Sequence, residues 1–176
     1  MGYASLLTFG EARTGLHEIY RGYDFIDEVS ADVAAANTAS GLDEFKEGEL
    51  ITLTGDGKIA QKLSATATAN KMVYPNVTGH ERSDYKGSMT TTYVLGNGYH
   101  ARTDKFIGTP AAGDKLSAKL DTDGVGKYFV AASGDPVFAI CLSGVLAHQD
   151  DAEAAIGLPP TNVISVEVVS PGQNVA

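Results

Sequence analysis

The chain has 176 residues, of which 43% are hydrophobic and 20% charged, with a formal net charge of −9 and one cysteine. That length allows one domain, with or without arms, and a core large enough to need no staples. A single thiol excludes an internal disulfide, and the acidic balance argues against a nucleic-acid ligand, because phosphate contacts need clustered Lys and Arg.

The charge is unevenly spread. Residues 1–48 carry 9 acidic and 3 basic side chains, net −6. Residues 49–149 carry 9 and 10, net +1, and residues 150–176 carry 4 acidic and none basic, net −4. A near-neutral body with acidic ends suits a protein that docks on other protein surfaces. Met1-Gly2-Tyr3-Ala4-Ser5 lacks a basic start and a long apolar stretch, so no signal peptide is expected. No run approaches the roughly 20 apolar residues of a membrane span. A soluble protein made in a cytoplasm is the expectation, with no membrane partner.

In chain order, residues 1–47 read as irregular. Apolar patches at Tyr3, Leu6, Leu7 and Phe9 and at Tyr20, Tyr23, Phe25 and Ile26 are separated by polar residues and glycines. Val29 to Ala39 is Ala-rich and predicts a short helix, with Ser30 as N-cap and Gly41 as its end. Two readings of this segment stay open: an extended arm, or an ordinary N-terminal subdomain.

From residue 48 to 176 the pattern is that of a β domain. Glu49 to Thr54 and Lys58 to Leu63 predict a hairpin across Gly55-Asp56-Gly57. Ser64-Ala65-Thr66-Ala67-Thr68-Ala69 alternates with period 2 and predicts a strand with two small-residue faces, suited to close packing against a partner or within the core. Met72 to Tyr74 ends at Pro75, and a polar loop follows to Gly87. Met89 to Leu95 and Tyr99 to Thr103 predict a second hairpin across Gly96-Asn97-Gly98. Lys115 to Leu120 turns at Asp121-Thr122-Asp123-Gly124 into Tyr128 to Ala131. Pro136 to Leu142 is an apolar strand. Asp150 to Ile156 predicts a helical turn stopped by Gly157, and Val163 to Val169 is the last strand, with Ile164, Val166 and Val168 on one face. Gly48-Glu49, Gly113-Asp114 and Gly134-Asp135 each open a strand; the glycine supplies positive φ and the carboxylate caps the backbone.

Strands at this spacing with Gly, Asp and Asn turns predict an all-β sandwich or barrel. The candidate chemistry is thin. Asp121-Thr122-Asp123-Gly124 starts like a calcium loop, but Ala132 stands where a bidentate Glu is needed, so a hairpin turn is the reading. His148, Asp150, Asp151 and Glu153 lie within six residues, and acids in a first helical turn explain them without a metal. His17, His80, His100 and His148 are scattered. His80, Ser83 and Asp84 share one loop, which does not orient a triad. Ser133 lacks the first glycine of a nucleophile elbow. Cys141 lies in an apolar run with no base nearby and reads as an inert buried thiol. The Asn76-Val77-Thr78 sequon has no role without secretion. The chain is therefore expected to be no enzyme, with no catalytic, cofactor-binding or metal-binding residue and no cofactor.

Three segments carry a family resemblance: Glu47-Gly48-Glu49-Leu50-Ile51-Thr52-Leu53, Ala132-Ser133-Gly134-Asp135-Pro136-Val137-Phe138-Ala139-Ile140 and Val163-Ile164-Ser165-Val166-Glu167-Val168-Val169. In style, over residues 45–170, the chain resembles the head decoration (cement) proteins of tailed bacteriophages. The resemblance implies a small β-barrel or β-sandwich, β-tulip-like body with an extended N-terminal arm over residues 1–47. It implies a virion structural protein on the capsid exterior that binds the major capsid protein as a homo-oligomer, dimer or trimer. It brings no catalytic residues. A tail or baseplate component uses similar β domains. A carbohydrate-binding β-sandwich is the alternative from another class, with Tyr74, Tyr85, Tyr93 and Tyr99 as its aromatic platform.

Overall fold

A computed structural model describes residues 18–21, 27–33, 46, 48–54, 59–66, 73–75, 89–94, 100–149 and 154–174. Its strands are β1 (Glu18–Arg21), β2 (Asp27–Val33), β3 (Leu50–Thr54), β4 (Ile59–Lys62), β5 (Val73–Pro75), β6 (Met89–Val94), β7 (His100–Thr103), β8 (Lys115–Leu120), β9 (Gly126–Val130), β10 (Pro136–Cys141), β11 (Leu146–His148) and β12 (Thr161–Asn174). They form two sheets, and the described part of the chain is mostly β. The seven-stranded sheet runs β1-β7-β12-β10-β8-β9, with β11 also on β12. The five-stranded sheet runs β5-β3-β4-β2-β6 and includes one parallel pair, β2 with β4. Neither sheet closes on itself as a barrel.

The core lies on one face of the large sheet. β8, β10 and β12 are in antiparallel register, with Ala139 opposite both Leu116 and Val168 and Cys141 opposite Val166. The period of 2 in each strand then turns Leu116, Ala118, Ala139, Cys141, Ile164 and Val166 to the same side. All six are fully buried, and Val168 packs against them, as the alternation of the last strand predicts. Leu50 and Leu63, at the start of β3 and just past the end of β4, join this cluster and tie the small sheet to the large one. At its outer edge, β9 is covered by the segment that follows β7. The Ile107 amide donates to the Tyr128 carbonyl at 2.8 Å, and the Tyr128 amide to the Lys105 carbonyl at 2.9 Å. The outward amide and carbonyl that this edge strand presents at Tyr128 are thereby satisfied.

Two predicted hairpins form. β3 and β4 pair from Thr54↔Ile59 to Ile51↔Lys62, and β8 and β9 pair from Leu120↔Gly126 to Leu116↔Val130. The third does not. β6 pairs with β2 in the small sheet, whereas β7 lies between β1 and β12 in the large one. The Gly-Asn-Gly signal is local, and β7 has a stronger distant claim: Ala101 and Thr103, fully buried, face Val166 and Ile164.

The predicted helix over Val29–Ala39 is also corrected. Its first five residues belong to strand β2, paired with β6 on one side and β4 on the other. Helix propensity in an Ala-rich stretch is a weak preference, and two flanking strands override it. Residues 34–39 lie outside the described residues. The predicted strand at 64–69 is not seen in its described part: Ser64, Ala65 and Thr66 are exposed and bend, with the Ser64 hydroxyl donating to the Thr66 carbonyl at 2.7 Å. Two small-residue faces bury too little to hold a strand in place. Of the predicted helical turn, Ala154 and Ala155 are helical, and the Gly157 amide donates to the Ala154 carbonyl. β1 and β2, both within residues 1–47, give one strand to each sheet.

Candidate functional site

Three strand-opening turns share one backbone. The amides of Glu49, Asp114 and Asp135 donate to the carbonyls of Lys46, Ala111 and Ala132, three residues back. The third residue of each turn is a glycine with φ of 75°, 91° and 89°, at Gly48, Gly113 and Gly134. This is the type II pattern, which needs positive φ at its third position. In the two exposed copies the acid caps its own turn. The Asp114 carboxylate accepts the Ala111 amide at 2.8 Å, and Asp135 accepts the Ala132 amide at 2.9 Å.

In the first copy the acid keeps a backbone hydrogen bond at Lys46, the first residue of its turn, and also reaches further. Glu49 is fully buried and reaches Lys62 at the end of β4. Lys62 Nζ lies 2.7 Å from Glu49 Oε1 and 2.8 Å from Oε2, and donates a further hydrogen bond to the Gly124 carbonyl at 3.0 Å. The ammonium thus joins three segments: the turn before β3, the end of β4 and the β8–β9 turn. A backbone bond from the Leu120 amide to the Ser64 carbonyl at 2.8 Å reinforces the junction. The two sheets approach so closely here that only glycine fits at position 126. A Cβ there would sit 1.9 Å from the Leu50 carbonyl oxygen.

The electrostatics follow from the burial. Loss of hydration raises the Glu49 carboxyl to about 7, against the opposing pull of the Lys62 charge and hydrogen bond, a backbone hydrogen bond at Lys46 and the charge of Lys105. Lys105 pairs with Asp104 at 2.7 Å, and burial raises that carboxyl as well. On the β8–β9 turn, Lys127 bridges Asp121, at 2.8 Å, and Asp123. The hydrogen bond from Lys127 lowers the Asp121 carboxyl. Nearby in β9, burial pushes the Tyr128 phenol well above its ordinary range. The group can hold a proton near neutrality and can fix how the sheets dock. Its central pair has no exposed surface on which a solute could bind.

A second polar group lies on the opposite face of the large sheet from Ala101 and Val166. Arg102 Nη1 is 3.1 Å from Nδ1 and 3.2 Å from Nε2 of His148, and His100 Nε2 is 3.5 Å from Glu167 Oε2. Alternation along β7 and β12 puts these side chains together.

The residues weighed in the sequence fall as follows. Asp121 and Asp123 sit in a hairpin turn and pair with Lys127. Ser133 is exposed in the Ala132–Asp135 turn, and Cys141 is a free buried thiol. His148 meets Arg102; Asp150, Asp151 and Glu153 lie outside the described residues, as do His17, His80, Ser83, Asp84, Tyr85 and Tyr99. Tyr74 is in β5 and Tyr93 in β6. Among the described residues no group of three or more His, Cys, Asp or Glu is placed to hold a metal ion. Among them, too, no helix is long and apolar enough to cross a membrane.

Sequence reading missed the Glu49–Lys62 pair. The available signal was an acid opening a strand that is otherwise apolar and β-branched, and a lysine directly before the core residue Leu63.

The chain is matched by no protein-family model, by no curated protein and by no solved structure.

Proposed function

We propose that this chain is a virion structural protein of the head decoration class, which binds an assembled capsid from outside and stabilises it. The observation that supports this reading most directly is the placement of the three segments that resemble such proteins. They are the turn and strand of β3, the turn and strand of β10, and β12, and β10 and β12 are hydrogen-bonded neighbours over the buried core. On this reading the two open sheets make a β-tulip-like body, and the partners are the major capsid protein and further copies of the chain. The N-terminal segment contributes β1 and β2 to the two sheets, so on this reading it is part of the body, and the arm expected over residues 1–47 as a whole is not retained. Capsid binding by a protein of this kind stabilises the shell by mass action, since only the assembled form offers the complete site. Two or three linked copies turn weak contacts into firm attachment through effective concentration.

Co-sedimentation with capsid shells encoded by the same genome tests the reading. Saturable binding to expanded shells, with a raised shell melting temperature, is the expected result. Absence of binding to both expanded and unexpanded shells would overturn it.

A further inference from the structure

We propose that the Glu49–Lys62–Gly124 clasp is a proton-controlled latch that sets how firmly residues 46–66 dock against β8 and β9. The proposal does not depend on a capsid role. Its basis is the geometry of a polar joint buried inside an apolar one. Leu50 and Leu63 enter the shared core on either side of it. Gly126 lets the β3 backbone come into contact with β9. Within that contact, one carboxylate and one ammonium, with side chains 0% and 5% exposed, hold the three segments together.

An ion pair taken out of water loses the hydration of both charges, and its mutual attraction repays this only when the remaining polar atoms are well satisfied. Here they are not fully satisfied. Lys62 donates hydrogen bonds to Oε2 and to the Gly124 carbonyl, while Oε1, 2.7 Å from the ammonium, makes no hydrogen bond of good geometry. Taking up a proton at Glu49 removes one buried charge, and the neutral carboxyl, unlike an alanine, still offers Oε2 as an acceptor to Lys62, which also keeps its bond to the Gly124 carbonyl.

The charged groups around the joint act in the same window or outside it. From the 104–107 segment, Lys105 pulls the Glu49 carboxyl down, and its partner Asp104 is itself raised by burial. From the β8–β9 turn, Asp121, Asp123 and Lys127 satisfy one another. Asp121, being lowered, titrates below the ordinary carboxylate range.

The sign follows by linkage. Glu49 has an ordinary value of 4.5 when undocked and about 7 when docked. The docked form therefore binds the extra proton between those values, and docking tightens as pH falls from about 7 toward 4.5. It loosens as pH rises through 7, which is opposite to the usual acid lability of paired carboxylates. Loosening would uncover Leu50, Leu63 and Tyr128, so the latch controls access to apolar surface.

The test uses the full chain. Carbon-13 NMR of the Glu49 side-chain carboxyl should titrate with a midpoint near 7; a midpoint below about 5 would overturn the proposal. Amide exchange in β3 and β9, corrected for intrinsic base catalysis, should be on the order of tenfold faster at about pH 8 than at about pH 6. Exchange that is equal at the two pH values would also overturn it. Lys62→Met removes the facing cation and should move the midpoint further up. If that variant fails to fold, the Glu49→Leu/Lys62→Met double variant, with apolar groups of similar size, should fold and lose most of the pH dependence of exchange. Full retention of the dependence in the double variant would place its source outside the clasp.

Discussion

The turns at Lys46–Glu49 and Ala111–Asp114 have the same backbone, but their acids meet different surroundings. Both place glycine at positive φ and both close with the acid's amide bonded three residues back. At the second, an aspartate faces water and caps the Ala111 amide. At the first, the side chain is one methylene longer and its surroundings are apolar, so it turns inward to Lys62 while also taking a backbone hydrogen bond at Lys46. Backbone geometry is thus decided locally by glycine, while the energetic role of the acid is decided by what packs over it. A carboxylate in water contributes one modest hydrogen bond. A buried one can be replaced only together with its partner.

The buried joint should therefore be much less tolerant than the exposed turns. The largest effect is expected from Gly126→Ala. Its Cβ would meet backbone atoms of Leu50, which cannot swing aside as a side chain can. A loss of about 4 kcal/mol or more, measured by urea denaturation, is expected. A loss under about 1 kcal/mol would mean that the sheets do not approach as closely as the geometry requires.

Glu49→Ala comes next. It leaves the Lys62 ammonium buried without its carboxylate and should cost about 3–5 kcal/mol. Glu49→Leu combined with Lys62→Met should recover most of that loss or exceed the parent, since buried ion pairs are often no better than well-packed apolar groups. If the double variant is as unstable as the single one, the pair carries specific positioning that apolar packing cannot replace.

Legibility in the sequence follows the same division between local and distant causes. The β3–β4 and β8–β9 hairpins were readable because Gly-Asp-Gly and Asp-Thr-Asp-Gly sit between strand-forming runs. The strand face of Ile164, Val166 and Val168 was readable from alternation alone. The hairpin expected between residues 89 and 103 failed because Ala101 and Thr103 are claimed by β12, a strand 60 residues further on, as the Ala101↔Val166 and Thr103↔Ile164 pairs show. Val29 to Val33 failed as a helix for the same reason, since β4 and β6 flank it. The clasp was least readable. Glu49 and Lys62 are 13 residues apart and Gly124 is a further 62 from Lys62, so nothing in the local pattern joins them. The reused Gly-acid device foretells the backbone hydrogen bond that Glu49 takes at Lys46, but not the buried ion pair added to it.

The smallest expected effect lies at the exposed turns and sharpens the comparison from the other side. Asp114→Ala removes the acceptor for the Ala111 amide, and Asp135→Ala does the same for Ala132. The freed amides are at exposed sites, where water replaces the carboxylate. Each substitution should then cost about 1 kcal/mol, within the range of a single net hydrogen bond. Because the two turns share no partner, the double variant should cost the sum of the two. Asp114→Asn keeps an oxygen acceptor and should retain more than half of the stability that alanine loses. A loss at Asp114 comparable with that at Glu49 would show that the exposed turn is also a point of tertiary attachment. In that case the contrast between a capping acid and a clasping acid would fail, and the Gly113-Asp114 turn would have to bear on the neighbouring Cys141 backbone, with which Gly113 and Asp114 exchange hydrogen bonds of 2.7 and 2.8 Å.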